Sequence, residues 1–450
     1  MTATGNTTLH IVMYPWFAMG HLIPYLLTAN KFAERGHRIF LIVPPKAQTR
    51  LSPLNHYPGL VEFRPISIPH VQSLPAHVET TNDVTIQDQH LLRHALDLTQ
   101  PEIQSLLCGL KPDFIFFDLM HWVPGLARRL QIKSVHYSVV SPASMCFLFA
   151  NGPLTEGGPP GFPSSMKLYK HTARDFKFFE TTMEIGSGLT MKQRLITAIS
   201  ESDAIGFRTC EEIEGRYCRF LENKLKKPIL LAGPMVPKPQ PSALDGNWAN
   251  WLGLFKPKTV VFCSFGSEAV LSRGQFQELV LGFELTGFPF LIALRPPSGS
   301  ETMEEALPDG YEERTRQRGI VCGDWVPQQL ILKHPSVGSF VTHCGYGSMW
   351  EGLMSHCQLV MLPHVADQYV HARLMGGDLK VGVEVEKGDE DGLFTREGVR
   401  RAIMAVMADG SEIGKEVGEN HAKWREFLLS ERLEDSYFNH FVDDLRTLLE

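Results

Sequence analysis

Short apolar runs recur along the chain, each followed by a stretch with helical spacing of its apolar positions. Residues 9–13 (LHIVM) form the first run. A continuous apolar run of that length suits a strand covered on both faces. Residues 24–35 then place Leu26, Leu27, Ala29, Phe32 and Ala33 along one side of a helix, and Gly36 closes it after a basic residue. Residues 37–43 (HRIFLIV) read as the next strand. Strand, helix and strand in that order predict a parallel pair. The alternation continues with strands at 61–68, 114–117, 135–139, 204–208 and 229–231, and helices at 91–107, 122–130 and 211–225. Pro101 must bend or break the helix that contains it. Residues 151–165, rich in Gly and Pro, read as a surface loop.

Residues 233–241 (GPMVPKPQP) hold four prolines and read as a semi-rigid linker, hence a domain boundary. Beyond it the alternation restarts. Strands are expected at 260–264, 289–294, 320–322, 339–342 and 359–362, with helices at 273–284, 349–355, 368–375 and 437–449. No internal repeat is short enough to mean a solenoid. The expected class is α/β, with two doubly wound parallel sheets, and such sheets bind ligands at the carboxyl ends of their strands.

Composition narrows the function more than the fold. Of 450 residues, 43% are hydrophobic and 21% charged, which is ordinary globular usage and excludes a disordered or coiled-coil chain. A net charge of −7 argues against a nucleic-acid partner, which needs a basic face. Eight cysteines form no CxxC pair, so a reducing, cytoplasmic setting without structural zinc is expected. Residues 1–30 carry no Lys, Arg, Asp or Glu. They lack a basic n-region and a cleavage site, so a buried strand, loop and helix is preferred over a signal or stable membrane insertion.

Candidate chemistry falls where the strands end. His21 follows the first strand, just before a helix, where a neutral imidazole can take a proton from a hydroxyl. Asp118 ends the fourth strand and can hold that imidazole, or merely cap the next helix. Residues 343–348 (HCGYGS) turn a strand into a helix. The dinucleotide pattern fails there because Trp350 takes the third glycine position. Small residues at a helix start nonetheless suit a phosphate, and His343 and Ser348 can add donors. Residues 264–267 (SFGS) make a similar turn. The acidic stretch EKGDEDG, with Asp389, Glu390 and Asp391, reads as a solvated loop rather than a metal site.

Residues 325–368 read WVPQQLILKHPSVGSFVTHCGYGSMWEGLMSHCQLVMLPHVADQ, with YPWFAMGHLIP near the start, SFGS and GPMVP between. This resembles the signature box and flanking motifs of plant UDP-dependent glycosyltransferases of family 1. The resemblance implies the GT-B fold, two facing Rossmann-like domains with a cleft between them. Residues 1–240 would bind the acceptor, 241–433 the UDP-sugar, and a C-terminal helix at about 434–450 would return to the first domain. It implies His21 as general base with Asp118 as partner. Trp325 would stack on uracil, with Val326 and Gln328 at the uridine. Ser267, His343, Gly345, Gly347 and Ser348 would meet the diphosphate, Glu351 the ribose, and Asp367 and Gln368 the sugar. The UDP-sugar is then a co-substrate, with no metal or other cofactor. Tyr346-Gly347 stands where the family usually has Trp-Asn, which removes one amide donor. That pair, with PWFAMGH, looks like the subgroup that extends the sugar of a flavonoid glycoside with glucose, xylose or rhamnose. Trp16, Phe17, Phe147, Phe149 and Phe179 are candidate aromatic residues around a flat acceptor; Phe147, Phe149 and Phe179 read first as ordinary core, whereas Trp16 and Phe17 lie in the loop that leads to His21. A monomer is expected. The competing expectations are transfer directly to a flavonol or terpenoid aglycone, and a non-catalytic sugar-nucleotide-binding protein.

Overall fold

A computed structural model of the chain describes residues 8–150, 162–235, 244–365 and 367–450, without the side chains of Phe178 and Phe179. Most of the expected loop at 151–165, most of the linker at 233–241 and the Phe179 ring lie outside the described residues. The chain divides into two compact units. One comprises Met1–Leu148, Lys177–Met235 and Glu434–Glu450, the other Phe149–Phe176 and Val236–Leu433.

The first unit is built on seven parallel strands: β1 (His10–Tyr14), β2 (Arg38–Val43), β3 (Val61–Pro65), β4 (Phe114–Phe117), β5 (Lys133–Ser138), β6 (Ala204–Phe207) and β7 (Ile229–Leu231). Their order in the sheet is β3-β2-β1-β4-β5-β6-β7. The chain therefore reverses direction of winding between β1 and β4, which pair with Tyr14 opposite Phe117. FIFF is apolar throughout, and RIFLIV is apolar after its exposed Arg38, because both faces of these strands are covered. Residues 434–450 close one face. Phe438 and Phe441 lie 4.9 and 5.9 Å from the Phe32 ring, and Arg35 pairs with Asp435 at 3.1 Å.

The second unit has six parallel strands: β8 (Val260–Ser264), β9 (Phe290–Ala293), β10 (Gly319–Cys322), β11 (Val337–Thr342), β12 (Gln358–Met361) and β13 (Gly382–Glu384). The order is β10-β9-β8-β11-β12-β13, so winding reverses between β8 and β11, where Ser264 lies opposite Thr342.

Three expectations need correction. The first helix runs over Met19–Glu34, not from Pro24. Pro24 sits inside it, where only one backbone bond is lost, and His21 thereby moves from a loop into the first helical turn. The expected helix at 91–107 is two helices, Gln89–Asp97 and Gln100–Leu110, broken ahead of Pro101. Proline is tolerated in a first turn because those N–H groups have no helical partner. The helix expected at 349–355 begins a turn earlier, at Tyr346–Met354. The helix Pro142–Leu148, buried except at Leu148, left no alternating pattern to read. No helix of the described residues is long and apolar enough to cross a membrane.

Candidate active site

The reversal between β1 and β4 opens a crevice at their carboxyl ends, the usual ligand position in such sheets. His21 reaches it from the first turn of helix Met19–Glu34, and Asp118 from the end of β4. His21 Nδ1 lies 2.7 Å from Asp118 Oδ2. A carboxylate only accepts, so the proton sits on Nδ1 and the basic lone pair on Nε2. The other oxygen, Oδ1, accepts the backbone N–H groups of Trp16 at 2.8 Å and Leu119 at 2.7 Å. Asp118 is buried, so these bonds fix the orientation of the pair. His136 on β5 is buried nearby, opposite Phe117. Burial pushes its pKa down to about 4, so it adds no charge beside the pair.

Trp16, Phe17 and Phe147 are buried in the first unit. Phe17 meets the Tyr14 ring edge-on at 5.9 Å, and the Arg93 guanidinium lies over the Trp16 indole at 5.9 Å. Phe149 is half-buried and belongs to the second unit.

The second reversal, between β8 and β11, gathers a different set. The loop after β8 contains Gly266 at φ +69°, and the loop after β11 contains Cys344 at φ +67°. The His343 ring lies against both glycines: a Cβ on Gly266 would stand 3.1 Å from Cε1, and one on Gly345 2.5 Å from Nε2. Glycine admits the ring at 345, and at 266 the left-handed backbone favours glycine as well. Burial pushes the His343 pKa down to about 4, and Nδ1 is buried with no hydrogen-bond partner among the described residues. Gly345 caps helix Tyr346–Met354, whose first internal bond runs from Met349 N to Gly345 O. Gly347 and Ser348 thus lie in the turn where helix N–H groups point outward, a ready anion site. His371 donates Nδ1–H to Cys344 O at 2.9 Å and stacks on Tyr346 at 5.1 Å, which holds the turn. Ser267 is exposed beside Gly266, its carbonyl accepting Arg295 Nη1 at 3.2 Å.

Trp325 is 86% exposed and available for stacking, while the adjacent Val326 is buried. Gln328 and Gln329 both donate their amides to Glu351, at 2.7 and 3.1 Å. Gln329 was missed in the sequence, although the Gln-Gln doublet was its signal. Gln368 accepts the N–H groups of His364 and Val365 through Oε1, at 3.0 and 3.2 Å, which directs its NH2 elsewhere. Asp367 Oδ2 lies 3.6 Å from His371 Nδ1. A second missed residue is Lys387, buried and donating to Pro363 O and to Tyr369 OH at 3.4 Å, with burial lowering its pKa to about 8. It braces the segment that leads to Asp367 and Gln368. The carboxylates of the acidic stretch are exposed, as expected, but paired: Lys170 Nζ bonds Glu390 at 2.7 Å, and its backbone N–H bonds Asp389 at 3.0 Å.

Residues 302–415 match the family model described as UDP-glucoronosyl and UDP-glucosyl transferase. The chain is 50% identical to cyanidin 3-O-galactoside 2''-O-xylosyltransferase FGGT1 of Actinidia chinensis var. chinensis, over 99% of this chain and 100% of that protein. It is 47% identical to anthocyanidin 3-O-glucoside 2''-O-glucosyltransferase of Ipomoea nil, over 98% and 99%. Among solved structures, Arabidopsis thaliana UGT89C1 with UDP-L-rhamnose superposes with a TM-score of 0.79 at 21% identity, covering 99% of this chain and 100% of that one. Glycyrrhiza uralensis UGT73P12 with glycyrrhetinic acid 3-O-monoglucuronide gives 0.81 at 20% identity, covering 98% and 96%. With its two doubly wound sheets and full-length kinship, the chain belongs to the plant family 1 UDP-dependent glycosyltransferases and has their GT-B fold.

Proposed function

We propose that this enzyme moves a sugar from a UDP-sugar to a sugar hydroxyl of a flavonoid glycoside, with the first unit binding the acceptor and the second the donor. The observation that carries the chemistry is the 2.7 Å contact between His21 Nδ1 and Asp118 Oδ2. His21 Nε2 takes the proton of the acceptor hydroxyl as its oxygen attacks the anomeric carbon. The bond to UDP breaks in the same step, and the configuration inverts. Asp118 stabilises the imidazolium that forms. The charge on departing UDP meets the N-terminus of helix Tyr346–Met354 and the small-residue turns around His343. Trp325 stacks on the uracil, Glu351 accepts the ribose hydroxyls, and Asp367 and Gln368 bind the sugar. The acceptor class rests on the near-full-length identity to two enzymes whose names specify 2''-O transfer to an anthocyanin glycoside. Mass spectrometry on a matrix of UDP-sugars against flavonoid glycosides and their aglycones tests it. Glycosides gaining one sugar while aglycones stay unmodified supports the proposal. Products formed from aglycones alone contradict it.

A further inference from the structure

The first unit contains a buried ionic frame that the chemistry above does not use. Arg194, on helix Met191–Glu201, is almost wholly inaccessible. Its guanidinium donates to both oxygens of Asp97, at 2.8 and 2.6 Å, and to Glu184 Oε2 at 2.8 Å. Arg93 donates to the other oxygen of Glu184 at 2.5 Å. The two arginines and two carboxylates balance. Buried ion pairs add little stability over an apolar core of the same volume; this one fixes the positions of the groups it touches.

The frame touches the segment before His21 and the segment after Asp118. On one side Arg93 lies over Trp16, whose backbone N–H bonds Asp118. On the other, Asp97 accepts Trp122 Nε1–H at 3.2 Å, and Arg194 Nη1 lies 3.0 Å from His121 Nδ1. His121 stands three residues after Asp118 in the loop that leaves β4. A guanidinium only donates. His121 Nδ1 must therefore present its lone pair, and the ring proton sits on Nε2. Burial and the Arg194 charge both lower the pKa of this imidazole, which keeps it neutral. Its side chain is 21% exposed against 2% for Arg194, and Nε2 has no partner among the described residues.

We infer that His121 is an acceptor-binding residue: Arg194 locks its imidazole into the Nε2–H form, and that N–H holds an oxygen lone pair of the acceptor close to the His21–Asp118 pair. This rests on the first unit being the acceptor unit. Arg194 acts only through His121 and is a positioning residue.

The test uses the full-length enzyme with His121→Phe, which keeps a flat ring and removes the donor, and His121→Gln, which keeps an N–H. UDP affinity is measured by calorimetry, and kcat and acceptor KM with whichever acceptor the wild type glycosylates. The expected result for His121→Phe is unchanged UDP affinity with an acceptor KM raised about ten-fold, the size of one lost hydrogen bond, and partial recovery in His121→Gln. An acceptor KM equal to wild type in His121→Phe overturns the inference. Should His121→Phe fail to bind UDP, the decision passes to His121→Gln and to nitrogen NMR of labelled wild-type histidine. An Nε2–H tautomer at pH 7 is then expected. An Nδ1–H tautomer or a cation overturns the inference. The aglycone as competitive inhibitor locates the oxygen: weaker inhibition of His121→Phe places the contact on the ring system, unchanged inhibition places it on the sugar. If the wild type accepts only aglycones, the substrate proposal fails while the His121 comparison is still made with them.

Discussion

At the exit of β1 and β4 a histidine faces a carboxylate 2.7 Å away; at the exit of β8 and β11 a histidine faces two glycines. The two places are topologically equivalent, since each is where its sheet reverses winding. Their chemistry is opposite. The first gathers ionisable side chains and depends on which imidazole nitrogen carries the proton. The second keeps its histidine neutral by burial and relies on backbone shape, a helix terminus and amides. Under the proposed function, a chain of net charge −7 would meet a doubly charged leaving group with oriented N–H groups rather than a basic patch.

Substitutions in the two places should therefore fail differently. The largest effect is expected for Asp118→Asn. An amide in place of the carboxylate lets the wrong His21 tautomer form, and kcat should fall by on the order of 10² to 10⁴ with UDP affinity intact; steady-state kinetics beside a UDP titration checks it. Next comes Gly345→Ala. Its Cβ would press on His343 Nε2 at 2.5 Å, and UDP should bind roughly ten- to hundred-fold more weakly, about 1.4 to 2.8 kcal/mol, with the acceptor KM unaltered. Glu351→Ala removes the group held by Gln328 and Gln329. It should weaken UDP about ten-fold in the same titration.

The gentlest effect at working pH concerns stability, and both units share it. His37 and His136 in the first unit, and His343 and His421 in the second, have pKa values lowered to about 4 by burial. Unfolded, each takes a proton below about pH 6.5. The unfolded chain therefore binds more protons between those values, and stability falls as pH drops from about 6.5 toward 4. Melting temperature should be level above about pH 7 and decline steadily below 6.5. A level profile down to pH 4.5 would count against the neutral burial of these rings.

Much of this was legible in the sequence because the sheets are simple. Continuous apolar runs marked nearly every strand, and His21, Asp118 and the turn at 343–348 stood out because they follow strand ends. Local misreadings came from proline, which punctuates pattern but did not stop helix Met19–Glu34. The rest was illegible for a different reason. Arg194 and Asp97 are 97 positions apart, and nothing local to either announces that they meet. Lys387 sits in an acidic stretch that reads as solvent-facing, yet its ammonium is buried against Pro363. Long-range polar frames depend on which elements the fold brings together, and periodicity carries no information about that.

In the proposed mechanism one unit's histidine performs the proton transfer while the other unit binds UDP independently of it. The most direct test is His21→Ala, with UDP affinity and product formation measured on the same preparation. Transfer reduced to background with a UDP dissociation constant within about two-fold of wild type is the expected result. Near-normal transfer, or a collapse of UDP affinity, would contradict the account.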